Sequence, residues 1–144
     1  MPETDRRPLL LTNALLVDPA TGTERRGGLL IEGGMIRDLG PGLVESAVSD
    51  GTHVHDCHGA VVAPGLVDMR VHMGEPGAEY RETLKTLSAA AAAGGVTTVI
   101  TMPDTDPVVD EAAIVDFVLR RARATGIVRI HPAAALTKGL GGKE

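Results

Sequence analysis

Ten consecutive residues, Asp68-Met69-Arg70-Val71-His72-Met73-Gly74-Glu75-Pro76-Gly77, gather the side chains of this sequence best able to do chemistry. They follow Val61-Val62-Ala63-Pro64-Gly65 and read as a short buried strand, Leu66 to Met73, that runs out into a Pro-Gly loop. Strand side chains alternate between faces, so Asp68, Arg70, His72 and Gly74 are expected on one side. Two imidazoles at i and i+2 on a strand end would make a compact zinc clamp, with both nitrogens ~2.0–2.1 Å from the ion. This chain has Arg70 and His72 at that spacing. A guanidinium has a permanent positive charge and no lone pair, so it repels the cation an imidazole would hold. His72 alone reads first as a polar residue on a strand rim and second as a metal ligand.

Three further groups invite a chemical reading. His53-Val54-His55-Asp56-Cys57-His58 has the residue types of a zinc site. It precedes the Pro-Gly junction, however, and the better reading is structural strand residues. Asp104 and Asp106, in Pro103-Asp104-Thr105-Asp106-Pro107, could be bases or ligands, but Asp beside Pro commonly bends backbone. Lys138, in Leu136-Thr137-Lys138-Gly139, could bind an anion, and near a Gly-rich tail it is expected to be solvated. No Gly-x-Gly-x-x-Gly or Walker A phosphate loop occurs.

The totals narrow the function classes. The 144 residues are 43% hydrophobic and 23% charged, the composition of about one soluble globular domain. A formal charge of -5 argues against nucleic acid or an anionic membrane surface, which require clustered cations. With no Trp, one Tyr and one Phe there is no aromatic platform for stacking bases. A single cysteine, Cys57, excludes an internal disulfide framework and fits a reducing compartment. Arg6-Arg7 before Leu9-Leu10-Leu11 imitates a signal peptide, but Glu3 and Asp5 and the break at Thr12-Asn13 argue against one. No apolar run approaches the ~20 residues needed to span a bilayer, so a cytoplasmic protein is expected.

Two kinds of element must position these groups. Residues 1–63 carry strand and turn signals: Leu9 to Val17 with a polar break at Thr12-Asn13, then Gly28 to Glu32 and Met35 to Leu39 around Gly33-Gly34, a connection suited to a tight hairpin. His53 to Cys57 alternates, and the whole is expected to be a small all-β unit. Residues 64–144 change to strand, helix, strand, helix. A helix is expected over Arg81 to Ala93, with Ala89 to Ala93 suited to close packing and Gly94-Gly95 ending it. Val96 to Met102 should be a strand buried on both faces, and Asp110 should cap a helix over Glu111 to Ala124. Ile127 to Ile130 begins another strand. Such alternation predicts an α/β fold of parallel βαβ units with functional groups at the carboxyl ends of the strands. Three loops, His72 to Gly77, Pro103 to Pro107 and from His131 on, should then lie side by side. The second segment has room for two to three units of ~30 residues, against ~250 for an eightfold barrel. A truncated chain with an exposed strand edge is therefore expected.

Taken together, Pro64-Gly65-Leu66-Val67-Asp68, Glu75-Pro76-Gly77, Ala90-Ala91-Ala92-Ala93-Gly94-Gly95-Val96-Thr97-Thr98 and Met102-Pro103-Asp104-Thr105-Asp106-Pro107 resemble dihydroorotase, a cyclic amidohydrolase of pyrimidine biosynthesis. The likeness runs from about Leu10 to the final residue. Glu-Pro-Gly with the Met-Pro-x-Thr-x-Pro loop fits that family better than hydantoinase or allantoinase. The resemblance implies the start of a (β/α)8 TIM-type barrel, incomplete here, preceded by part of a small β domain. It also implies zinc as cofactor and the closure of carbamoyl-aspartate to dihydroorotate.

The departures from the family pattern fall at working positions. The family has a metal-binding His where this chain has Arg70, and only His72 keeps a match. Its substrate-binding Arg is Gly74 here, and its substrate-binding Asn is Asp104. The expectation is a dihydroorotase-like homologue without catalytic residues, with zinc absent or weakly held, and oligomeric. The resemblance suggests aspartate carbamoyltransferase as its structural partner. The alternative expectation is an active zinc-dependent cyclic amidohydrolase that uses His72 and ligands further along the chain.

Overall fold

The computed structural model describes residues 7–143, which divide into two compact units at Pro64/Gly65. The charged residues Glu3, Asp5 and Arg6, used above to argue against a leader, lie outside the described residues, as does Glu144. No described helix is long and apolar enough to cross a membrane.

The first unit is a five-stranded sheet. Its strands are β1 (Leu9–Asp18), β2 (Thr23–Glu32), β3 (Met35–Gly40), β4 (His53–Asp56) and β5 (Val61–Val62). Their order is β3-β2-β1-β4, with β5 also on β1; β1–β2 and β2–β3 are antiparallel, and β4 and β5 run parallel to β1. The polar break at Thr12-Asn13 does not end β1. It is a bulge, with the register shifting between Leu11 and Ala14 and Asn13 at φ 51°, a left-handed value that Asn tolerates better than most residues. The carbonyls freed there accept from Cys57 N–H at 2.9 Å and Gly59 N–H at 2.7 Å, which ties the end of β4 to β1. Gly33 and Gly34, at φ 58° and 78°, make the expected hairpin turn. β2 starts at Thr23, five residues before the expected Gly28, because the polar stretch Thr23–Arg26 pairs with β1 although it buries nothing. Ala14, Leu16 and Leu29 form the core of this unit, with Leu11, Ile31, Cys57 and Val62 against it.

The second unit is a parallel three-stranded sheet of β6 (Leu66–Val71), β7 (Val96–Thr101) and β8 (Arg129–Pro132), ordered β6-β7-β8. Helices α1 (Leu84–Ala93) and α2 (Ala112–Thr125) make the crossovers, so the unit has the βαβαβ succession with which a (β/α)8 barrel begins. Its core is Met73, Leu84, Leu87, Val99, Val109, Val118, Ala122 and Ile130.

Several expectations are corrected here. β6 is not a buried strand and stops at Val71. It pairs only with β7 among the described strands, and Leu66, Val67 and Met69 are 61%, 60% and 70% exposed. β7 is not buried on both faces: Val99 and Thr101 are buried, Val96, Thr98 and Ile100 are half-buried, and Thr97 is exposed. α1 starts at Leu84 rather than Arg81, since Thr83 caps it. Thr83 Oγ1 accepts from Thr86 N–H at 3.2 Å, and Thr86 Oγ1 accepts from Thr83 N–H at 3.0 Å. Its alanine stretch is mostly exposed, and only Ala91 leans on the core. Gly94 and Gly95 do end it, Gly95 at φ 77°. Asp110 is not the cap of α2. Glu111 holds that position without a side-chain bond, and the carboxylate of Asp110 instead accepts from Gly139 N–H at 2.7 Å.

Candidate active-site cleft

Because β6, β7 and β8 are parallel and adjacent, the loops that follow them emerge along one edge. Asp106 N–H donates to Pro76 O at 3.2 Å, and Ala135 N–H donates to Val109 O at 2.7 Å. Between the first two loops lies a cleft of about 470 Å³, lined among others by His72, Gly74, Arg81, Glu82, Asp104 and Asp106.

His72 Nδ1 lies 2.6 Å from Asp104 Oδ2. An ionised carboxylate can only accept, so Nδ1 is the donor and Nε2 is left as the other functional nitrogen. The two side chains remain 61% and 44% exposed, so the pair is an ordering contact between two loops and adds little stability. Asp104 is thus neither a free turn former nor a free base.

Asp68 and Arg70 do not join this cleft. Both are exposed on the edge strand, and Asp68 Oδ1 accepts from Arg70 N–H at 3.0 Å. Strict alternation fails because β6 ends before His72, and its register with β7 shifts between Asp68 and Val71. Gly74 is buried in the cleft floor. Gly77, at φ 99°, allows the loop to touch Asp106: a Cβ there would collide with the Asp106 carbonyl oxygen.

One residue central to this arrangement carries no signal in the sequence beyond its place in Glu-Pro-Gly. Glu75 is 3% exposed, and its carboxylate accepts from Leu84 N–H at 2.8 Å and from Arg121 Nε at 2.6 Å. It therefore joins the loop after β6 to the first turn of α1 and to α2. Nothing local in the sequence pairs it with Arg121.

Zinc does not fit the donor set of the described residues. They contain no group of three or more His, Cys, Asp or Glu placed to hold a metal. His72 offers a single free ring nitrogen, Nε2, and a guanidinium stands at the expected second ligand position. On β4, His53 and His55 are exposed strand residues, and His58 Nδ1 lies 3.5 Å from Asp56 Oδ2. The His58 backbone N–H and, after it, the Asn13 side chain hold the Asp56 carboxyl below its ordinary pKa. Lys138 is not merely solvated: its Nζ is 2.7 Å from Glu111 Oε1 and 3.9 Å from Asp110 Oδ1. The Glu111 hydrogen bond first, and the Asp110 charge after it, raise its pKa against an opposing effect of desolvation.

The dihydro-orotase-like family model matches residues 59–144. A dihydroorotase of Pelobacter propionicus is 42% identical over 136 residues, covering 94% of this chain and 31% of that protein. One from Anaplasma phagocytophilum is 44% identical over 131 residues, covering 90% and 29%. Among solved structures, L-hydantoinase from Arthrobacter aurescens superposes with a TM-score of 0.77 at 24% identity, over 88% of this chain and 27% of that one. D-hydantoinase from a Thermus species gives 0.64 at 26% identity, over 89% and 27%. The chain thus spans about a third of the length of the curated relatives it matches. On the family match and the fold together, this chain belongs to the dihydro-orotase-like family.

Proposed function

We propose that this chain is part of a cytoplasmic, oligomeric dihydroorotase-like protein of pyrimidine biosynthesis that has lost catalysis and serves as a structural partner of aspartate carbamoyltransferase. The observation that carries the loss of catalysis is the altered cleft: Asp104, at the family's substrate-asparagine position, is bonded to the one retained histidine, His72. An anion there repels the anionic substrate that an amide would bind. Losing the arginine contact at Gly74 removes ~1.5–3 kcal/mol, roughly ten- to a hundredfold in affinity. Arg70 adds a cation at the position of a zinc ligand. The partnership rests on the family resemblance alone and on the matching frame around the altered positions.

Turnover and zinc content of the full-length, metal-loaded protein test the first part: neither dihydroorotase activity nor stoichiometric zinc is expected, and measurable turnover would overturn it. Co-elution with aspartate carbamoyltransferase in size-exclusion chromatography tests the second, and independent elution at micromolar concentration would refute it. One observation favours the active alternative. A histidine whose Nδ1–H is held by a carboxylate is oriented to offer Nε2 to a metal, so His72 would be the ligand retained from this part of the protein.

A further inference from the structure

We infer that Gly74 is the seat of the turn 78–82, whose backbone fills the space that a side chain at position 74 would need. The cleft wall is then closed to any residue placed there, the family's arginine included. This deepens the reading above and rests on it only for the assignment of position 74 to the family's substrate arginine.

The geometry is specific to this site. A Cβ built on Gly74 would collide with the carbonyl oxygen of Glu82, and it would lie 2.6 Å from that of Ala78 and 3.0 Å from the Glu82 nitrogen. All three are backbone atoms, so no rotamer change relieves the clash. The turn is also held at both ends. Ala78 N–H donates to Gly74 O at 2.6 Å, and Arg81 N–H donates to Ala78 O at 2.9 Å. Beyond the turn, Thr83 caps α1, and Leu84 N–H is bonded to the buried Glu75. Neither end leaves slack for the turn to retreat. The same turn carries Arg81 into the cleft lining, where it is the one Lys or Arg among the lining residues. Glycine at 74 is therefore more than the lack of a contact, because the loop's own backbone occupies the space a side chain would use.

Gly74→Ala, Gly74→Arg and, as control, Gly42→Ala in the full-length protein test this, since a Cβ on Gly42 meets no heavy atom within 4 Å. Thermal midpoints are measured together with native-state trypsin cleavage after Arg81, located by mass spectrometry and referenced to cleavage after Arg37. Both Gly74 variants are expected to lower the midpoint and raise cleavage after Arg81 roughly tenfold relative to Arg37, as overpacking populates the unseated turn. Gly42→Ala is expected to change neither. An insoluble Gly74→Ala beside a soluble Gly42→Ala is the same result in stronger form. Wild-type midpoints and cleavage in the Gly74 variants would overturn the inference. So would a lower midpoint without faster cleavage after Arg81, because the strain would then lie elsewhere. None of these readouts depends on zinc or on turnover, so the inference can fail while the proposed function stands.

Discussion

Arg121 on α2 donates through Nε, across 2.6 Å, to Oε1 of Glu75, a residue 46 positions earlier in the loop after β6. The carboxylate is 4% exposed and the arginine 48% exposed, so the charge that depends on this contact is that of Glu75. With its other oxygen Glu75 accepts from Leu84 N–H. The loop that forms the cleft floor is thus fastened to both helices by one buried acid.

That asymmetry predicts an order of stabilities. Arg121→Met leaves a buried carboxylate with only one donor and should cost about 1–3 kcal/mol. The double variant Glu75→Gln/Arg121→Met should recover part of that loss, because a neutral amide still accepts from Leu84 N–H. Urea denaturation of the full-length variants checks this, and a double variant no more stable than Arg121→Met would contradict the burial argument.

Thr83→Ala removes the capping box at the start of α1 and should destabilise by about 0.5–2 kcal/mol. Thr83→Ser, which keeps the hydroxyl, should lie close to wild type. Denaturation midpoints of the two variants separate loss of the cap from any change in packing.

The turn between β1 and β2 should respond to acid. The Thr21 hydroxyl first, then Ala20 N–H at 2.9 Å, hold the Asp18 carboxyl below its ordinary pKa of 3.8. A depressed folded pKa contributes stability present above the unfolded value and lost as pH falls through the folded one. Asp18→Asn should therefore lower stability slightly near pH 7 and converge on wild type below about pH 4, which flattens the acid end of the profile. Lys138 has the opposite sign. Its pKa is raised above 10.5, so its contribution is present at neutral pH and disappears only as pH rises through the folded value. Lys138→Met should lower stability slightly at neutral pH and converge on wild type as pH rises past the lysine's folded pKa. Stability measured across both ranges separates the two.

Arg70→His alone should not confer dihydroorotase turnover on the full-length, zinc-loaded protein, because Gly74 and Asp104 would still fail to hold the substrate. Adding Gly74→Arg and Asp104→Asn should not complete the repair either, since a Cβ at 74 meets the backbone of the turn 78–82. A steady-state assay of the single and triple variants checks this, and turnover in the single variant would contradict it.

The sequence by itself determined whatever depends on neighbours along the chain. Gly33-Gly34 turns a hairpin and Gly94-Gly95 stops α1, as expected, and of the residues at helical spacing in α2 (Ile114, Val115, Val118, Leu119 and Ala122) all but the half-buried Leu119 join the core. The family, too, was legible from short motifs. Tertiary structure alone decided what depends on partners far away. Strand periodicity put Asp68 and Arg70 beside His72, but β6 ends at Val71 and they stay outside the cleft. Burial of β6 was inferred from its apolar run, yet an edge strand with one paired neighbour leaves that run exposed. Asp104 beside Pro103 has the local signal of a turn former, and only the packing of two loops brings it to His72, 32 positions away. Gly74 looked like a missing arginine, and only the path of the turn 78–82 shows that its space is filled. The physical reason is the same in each case. Propensity and periodicity are local, whereas the pairing of a buried charge, the end of a strand and the close approach of two backbones are set by the packing of segments that the chain order keeps apart.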